Sequence, residues 1–465
     1  MNSDSHLDLS REEMREMGYR AIDMLVEHFA TLKDQKVGAK ANPAEIFHNL
    51  SGPPPEQGTP YQALFDQLQQ DIFPSIMHVN HPRFFAFVPG PGNYVSVMAE
   101  ALAAGYNVFA GTWLGGSAAE AIEIVTIDWL RQLCGFPGGC NGLFVSGGTM
   151  ANLTALAVAR HVIVNDQLDG AVVYLSDQAH SSLEKALRVI GFLPHQIRHL
   201  KADDDYRLAP NDVISAIAQD RMTGRRPFCV IATAGTTNTG AVDPLPQLRD
   251  ICNHEHMWLH VDGAYGAAAV LCDQGRALLE GLALADSLSL DPHKWLFQPF
   301  ETGCVLVRDG THLRNTFRIL PDYLQDVHRN QEEINFTDLG IQLTRSFRAL
   351  KVWLSFKVFG IAAFRAAIER GFRLAELAEA KLREMQNWEI VSPAQMAVIC
   401  FRYRGSDDAS HALIVDAMLK DGFALVTSTA LRGRTVLRMC TINPRTTDSD
   451  IELTLEKLDR LAASS

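Results

Sequence analysis

The chain reads as an α/β protein: a large domain on a mostly parallel sheet, with a helical segment before it and a smaller α+β domain after it. Three observations predict this. From Gly142 onward, short apolar runs alternate with helical patterns, the rhythm of strand–helix–strand crossovers. Polar residues collect at the ends of those runs. Beyond about Leu350 the alternation gives way to one long helical stretch followed by two strand-like runs. The boundaries fall at 1–92, 93–348 and 349–465.

The elements follow in order. Ser10 and Glu13 have the form of a capping box, and Met14, Met17, Ala21, Leu25 and Phe29 then recur at helical intervals. They form one apolar stripe, opposite a face that carries Glu12, Glu16, Arg20, Asp23 and Glu27. A helix so two-faced packs on its own core or on a partner subunit. GPPPEQGTP, residues 52–60, excludes regular structure and reads as a linker, and HPRFFAFVPGPGN, residues 81–93, is irregular too. Helical patterns run on to about Phe136, broken by GTWLGG at Gly111–Gly116. In the large domain GLFVSGG, AVVYLSD, FCVIATAG, MWLHVDG, SLSLDPH and GCVLVRD read as strands, with helices after several of them. The long helical region runs from Lys351 to Met385, ICFRYRG and TVLRMCTIN are strand candidates, and a last helix starts near Thr447.

Composition removes several function classes. Apolar residues make up 47% of the chain and charged residues 21%, the balance of a folded globular protein. A formal charge of −12 with no concentrated basic run argues against nucleic acid as a partner. RMTGRR, Arg221 to Arg226, is short enough to be a solvated loop. The eight cysteines form no CxxC pair and several sit inside apolar runs, so free thiols in a reducing compartment are expected. The polar, acidic start has no signal-peptide pattern, and no apolar run is long enough to span a membrane. A cytoplasmic protein is expected.

In sheets of this kind ligands sit at the carboxyl ends of the strands. Ser146, Asp177, Thr236, Asp262, Asp291 and Lys294 all fall at such ends, which points to one shared site. Lys294, within DPHKW, is flanked by Pro292, His293 and Trp295. As a surface residue it would be unremarked. Buried, its pKa would move down and leave an amine able to form imines. Asp262 in HVDGAYG could cap a helix or hold the proton on a pyridine nitrogen. Ser146-Gly147-Gly148-Thr149 offers backbone donors between strand and helix, as phosphate needs, although Gly pairs mark many turns; the turn that contains Thr236 is a further candidate. His180 in DQAHSS could simply cap a helix or could stack on a ring. His254, His256 and His260 invite a metal reading, but their spacing is not HExxH; His260 is read as support for Asp262, and no metal is expected.

Seven motifs in order, HPRFFAF, SGGTMANL, DQAHSS, ATAGTTNTGAVDP, HVDGAYG, DPHKW and RSFRALKVW, together resemble the group II pyridoxal-phosphate decarboxylases, the family of aromatic-amino-acid, histidine and glutamate decarboxylases. The resemblance runs from about residue 10 to the C-terminus. Trp113 and FRALKVW are most similar to the aromatic-amino-acid branch. It implies the aspartate-aminotransferase fold (fold type I) and a homodimer with sites at the subunit interface, residues 1–92 being the dimerisation segment. The cofactor implied is pyridoxal 5′-phosphate, with Lys294 as its Schiff-base lysine, Asp262 on the pyridine nitrogen, Ala264 under the ring and His180 stacked above it. Gly148, Thr149 and His293, and less directly Ser146, would contact the phosphate, and Thr236 the ring hydroxyl. Phe87, Pro89 and Gly90 match substrate-side positions. Phe109 and Gly111 match positions supplied by the second subunit, and with Trp113 the phenylalanines suggest an aromatic-lined pocket. Arg83 and Arg438 have no assigned role.

The implied reaction is decarboxylation of an L-amino acid, through the lysine imine and a quinonoid, to the amine. One departure bears on the product. The aromatic decarboxylases carry a mobile-loop tyrosine shortly before the RSFRALK motif, and counting back places Phe336 there. Phenylalanine cannot relay a proton, and in the related aromatic acetaldehyde synthases it accompanies oxidation to an aldehyde, ammonia and peroxide. If instead the register slips, His180 or Tyr323 supplies the proton. A non-catalytic cofactor-binding partner protein is a further reading, which the joint presence of Lys294, Asp262 and His180 opposes.

Overall fold

A computed structural model describes residues 7–319 and 333–463. Its centre is a seven-stranded sheet of β1 (Asn141–Val145), β2 (Ala171–Ser176), β3 (Ile197–Leu200), β4 (Arg226–Thr233), β5 (Trp258–Asp262), β6 (Ser287–Leu290) and β7 (Gly303–Val307), in the order β1-β7-β6-β5-β4-β2-β3. β3, β2, β4, β5 and β6 run parallel, and β7 is antiparallel to both its neighbours. Every residue of β2, β5, β6 and β7 is buried, as expected of a sheet covered on both faces. The sequence missed β3, IRHL. It is an edge strand carrying Arg198 and His199, so no apolar run announces it; Arg198 pairs with Asp220 instead.

A second, four-stranded antiparallel sheet of β8 (Trp388–Gln395), β9 (Val398–Tyr403), β10 (Thr427–Leu431) and β11 (Arg434–Cys440) has the order β10-β11-β9-β8. The run ICFRYRG is β9 and TVLRMCTIN contains β11. β8 contains Pro393 and a register shift against β9, and β10 alternates exposed and half-buried residues, which hid both from pattern reading.

The helix Arg11–Thr31 begins at the expected capping box, Glu13 N donating to Ser10 Oγ at 3.2 Å and Ser10 N to Glu13 Oε2 at 2.8 Å. None of its residues is buried. Gly116 (φ −163°, ψ 56°) kinks the helix Trp113–Leu133, where GTWLGG predicts a break, and Gly360 (φ 73°) kinks the helix Ala349–Glu384. The stretch 81–93 is irregular yet ordered by backbone bonds to the smaller sheet: Phe85 N donates to Leu425 O and Cys440 N to Phe85 O, both at 2.9 Å. It thereby carries the chain from the N-terminal helices to the ends of the central strands.

Candidate active site

The carboxyl ends of β1, β4, β5 and β6 open onto one cavity of about 390 Å³. Alternation along β5 puts His260 and Asp262 on the same face. The turn after β6 delivers Asp291, His293 and Lys294, and Trp295 seats that turn, fully buried between the rings of Tyr265 (5.8 Å) and Phe372 (5.3 Å). After β1 the chain turns at Gly147 into the helix Gly148–Val164, whose N-terminus has no side-chain cap. Its leading backbone groups therefore face the cavity as an anion cradle.

The walls hold Ser146, Gly148, Thr149, His180, Asp262, Ala264, His293 and Lys294, the residues that sequence reasoning grouped. Asp262 is nearly buried. Its Oδ1 accepts from Ala264 N (3.1 Å) and Ser289 Oγ (2.9 Å), and its Oδ2 from Asn152 Nδ2 (3.2 Å). His180 is both things considered for it: N-cap of the helix Ser181–Val189, with Nδ1 accepting from Ser182 N at 3.2 Å, and part of the cavity wall. His293 is buried, its Nδ1 accepting from Thr302 N at 3.2 Å, and burial lowers its pKa. His260 does not bond Asp262; it reaches it through Asn152 (His260 Nε2 to Asn152 Oδ1, 3.0 Å).

Lys294 departs from expectation. Burial works against its charge, but the carboxylate of Asp291, 2.9 Å from Nζ, outweighs burial and holds the amine above the usual lysine range. The sequence could not pair the two because Asp291 had no assigned chemistry. Asp291 is itself buried, with Oδ1 lacking a hydrogen-bond partner. A Cβ on Gly148 would lie 2.9 Å from Asp291 Oδ2 and 3.2 Å from the Ala264 methyl, so only glycine keeps this wall open.

Several expectations are corrected. Phe336 is 1% exposed in a short 3₁₀ turn. The turn is pinned by Thr337 N to Gly111 O (3.0 Å) and Trp113 N to Asn335 Oδ1 (2.9 Å), with the Arg345 guanidinium 4.8 Å from the ring centre. It belongs to the apolar core and not to this chain's own cavity wall; Tyr323 lies outside the described residues. Thr236 is fully buried, its hydroxyl engaged by Thr239 and Ala241 within its own turn, and Thr233, Gly235 and Thr237 line the cavity in its place. Phe87 has φ +52° and is 63% exposed; Val88 is what the stretch 81–93 contributes to the wall, without Pro89 or Gly90. Phe109 and Trp113 do not line this chain's own cavity; the expectation for Phe109, as for Gly111, concerns the cavity of a second subunit. Arg83 is structural, bonded to Asp450 Oδ1 (3.0 Å), Phe423 O and Lys33 O. Arg438 holds Phe87 O (2.5 Å) and Asn238 O (3.2 Å).

An amine, a carboxylate held by three donors and an uncapped helix N-terminus are the three features a pyridine aldehyde phosphate needs, and the unpartnered oxygen of Asp291 at the cradle leaves the site polar and incomplete without a ligand. Comparison with known proteins agrees. The pyridoxal-dependent decarboxylase conserved domain matches residues 43–404. The chain is 49% identical to an aromatic-L-amino-acid decarboxylase of Bacillus atrophaeus over 98% of this chain and 97% of that one. It is 29% identical to a phenylacetaldehyde synthase of Arabidopsis thaliana over 96% and 94%. The crystal structure of Oryza sativa TDC with PLP and tryptamine matches with a TM-score of 0.93 at 27% identity, covering 99% of each chain.

Proposed function

The chain belongs to the pyridoxal-dependent decarboxylase family, and we propose that it removes the carboxyl group of an aromatic L-amino acid as carbon dioxide and releases the amine. The observation that carries this reading is the convergence of Lys294, Asp262, His180 and the Gly148 helix N-terminus on a single cavity. The aromatic substrate rests on the relatives named above. The groups whose loss would mark a non-catalytic cofactor-binding protein are all in place.

Pyridoxal phosphate, when bound, supplies a protonated ring that takes up the electron pair of the bond broken at the substrate α-carbon. The rest is done by side chains. Lys294 is the amine that would hold the aldehyde carbon, and it must first give up the proton that Asp291 stabilises. Asp262, anchored by Ser289, Asn152 and the Ala264 N–H, would keep the ring nitrogen protonated. Ala264 and His180 would bound the ring on its two faces. The N–H groups of Gly148 and Thr149, with His293 and Ser146, would hold the phosphate. Loss of carbon dioxide would be favoured over other bond cleavages by walls that hold the substrate carboxylate out of the plane of the ring.

The amine is preferred to the aldehyde as product because Phe336, the residue that favoured oxidation, is locked in the core. The proton at the α-carbon is then left to Tyr323 or His180. A homodimer is part of the reading. The helix Arg11–Thr31 buries nothing and exposes Met14, Tyr19 and Val26, while Tyr106, Phe109 and Leu114 are also open. A second copy would cover them, and Phe109, Gly111 and Trp113 would then serve its cavity. The division at 1–92, 93–348 and 349–465 fits this, with one sheet in each of the last two segments. Eight unpaired, buried cysteines support a reducing, cytoplasmic setting; no described helix is long and apolar enough to cross a membrane.

The test is aerobic incubation of the protein and pyridoxal phosphate with a panel of L-amino acids, measuring carbon dioxide, amine and hydrogen peroxide together. Carbon dioxide matched by amine, with aromatic substrates foremost, supports the proposal. Carbon dioxide matched by peroxide assigns the aldehyde chemistry instead, and no turnover with bound cofactor leaves a binding protein.

A further inference from the structure

Behind the cavity wall, one carboxamide joins buried His260 and the more exposed His180 to the carboxylate of the site. Asn152, fully buried on the helix Gly148–Val164, has Nδ2 at 3.2 Å from Asp262 Oδ2 and 3.1 Å from Ser182 Oγ, and Oδ1 at 3.0 Å from His260 Nε2. Ser182 Oγ lies 2.8 Å from His180 Nδ1, and on the far side His260 Nδ1 lies 2.8 Å from Ser287 Oγ, which Trp258 Nε1 also meets at 2.8 Å.

Hydrogen-bond valence allows one direction through this chain. An ionised Asp262 only accepts, so the Asn152 amide must turn its NH₂ toward it; the reverse orientation would set the amide oxygen against both the carboxylate and Ser182. Both amide hydrogens are then used, one on Asp262 and one on Ser182 Oγ. The Ser182 backbone N–H donates to His180 Nδ1, so that nitrogen carries no proton and the Ser182 hydroxyl, 2.8 Å away, turns its own hydrogen toward it. Nδ1 is thus an acceptor twice over, and the proton of the neutral ring belongs on Nε2, the nitrogen left for the cavity. On the other branch Asn152 Oδ1 needs a donor, so His260 carries its proton on Nε2 and accepts from Ser287 at Nδ1. Burial keeps His260 neutral, pushing its pKa down to about 4, as a ring with one acceptor nitrogen in a closed network requires.

We infer that Ser182, tied to Asp262 through Asn152, is a positioning residue: with its backbone N–H and hydroxyl both on Nδ1 it fixes His180 as a ring with its proton on Nε2. The inference rests on the role proposed for His180 and deepens it. Neither Asn152 nor Ser182 touches the reacting atoms in it.

The test uses holoenzyme. Ser182→Ala lowers kcat about tenfold or more, the low end of what a misplaced acid–base group costs, with KM and cofactor affinity within about twofold; Ser182→Thr, which keeps the hydroxyl, restores kcat. In a His180→Gln background Ser182→Ala has no further effect, since residues acting through one another are not additive. In ¹⁵N-histidine-labelled holoenzyme, the imidazole signals that vanish in His180→Gln show a bare Nδ1 and a protonated Nε2, and Ser182→Ala turns them into a mixture of tautomers. Wild-type kcat in Ser182→Ala, losses that multiply in the double variant, or an Nδ1-protonated His180 in the wild type each overturn the inference. If His180→Gln itself keeps full activity, the role of His180 fails, while the nitrogen signals still decide whether Ser182 sets the tautomer.

Discussion

Lys294 Nζ stands 2.9 Å from Asp291 Oδ2, inside a wall where the carboxylate is buried and its other oxygen has no hydrogen-bond partner. Burial alone would lower the pKa of the amine; the ion pair reverses that. The cofactor-free enzyme therefore keeps its lysine protonated, and an amine must lose its proton before it can attack a carbonyl.

Asp291→Asn removes the charge that holds that proton. The rate at which cofactor-free protein captures pyridoxal phosphate, followed by absorbance, rises with pH as Lys294 deprotonates. The variant's curve is expected to lie at lower pH, with faster capture at pH 7. Superimposable curves would show that Asp291 does not control the amine.

Gly148 forms the wall between Asp291 and Ala264. In Gly148→Ala the new methyl lies 2.9 Å from the carboxylate and 3.2 Å from the Ala264 methyl, so it narrows the cradle at the helix N-terminus. Cofactor affinity, measured by equilibrium titration, is expected to fall about tenfold, or about 1.4 kcal/mol. The thermal midpoint of the cofactor-free protein should fall as well, because a methyl 2.9 Å from the buried Asp291 carboxylate forces that wall to shift.

Phe336→Tyr should leave the ratio of amine to peroxide unchanged. A buried turn pinned at Gly111 and Trp113, with Arg345 over the ring, cannot present a hydroxyl to the cavity. The variant should instead lose stability, since the new hydroxyl enters an apolar cluster without an assured partner. Tyr323→Phe is the complementary experiment: if Tyr323 supplies the proton, peroxide and aldehyde rise at the expense of amine. A higher amine yield in Phe336→Tyr would return Phe336 to the site.

What could be read from the sequence divides along a physical line. β2 and β4 were legible because buried parallel strands carry long apolar runs, and the polar groups at the ends of β5 and β6 stand out beside them. β3 was not, because an edge strand can satisfy Arg198 with Asp220 and needs no apolar signature. The cavity residues with distinctive chemistry, Lys294, Asp262 and His180, were found. Asp291 was placed at the shared site but not paired with Lys294, and Asn152 and Ser182 were not singled out, since an ion pair and a hydrogen-bond relay are properties of three-dimensional neighbours and have no spacing of their own. Phe336 stands apart from this chain's cavity for a related reason: counting residues back from Arg345 assumes a fixed loop register, whereas the turn is held by a backbone bond from Thr337 to Gly111 that the sequence does not display.

Glu120 offers a test of stability independent of catalysis. It is fully buried on the helix Trp113–Leu133, and the Phe336 backbone N–H approaches its carboxylate without completing a well-formed hydrogen bond. Burial raises its pKa from 4.5 to about 7, with Glu123 and Asp338 adding to the rise and the Phe336 backbone N–H and Arg345 opposing it. The native state thus binds this proton more tightly than the unfolded chain does. Its contribution to stability is complete below about pH 4.5 and is lost as pH rises through 7. Glu120→Gln keeps the shape and removes the titration. The two proteins should have similar unfolding midpoints near pH 5, and the variant should be the more stable at pH 8. The gap between 4.5 and about 7, at about 1.4 kcal/mol per pH unit, bounds the gain at about 3 kcal/mol. Taking the difference between the two proteins at each pH cancels the other titrating groups. A difference that stays constant from pH 5 to pH 8 would mean that Glu120 is ionised throughout, with Arg345 supplying the compensating charge.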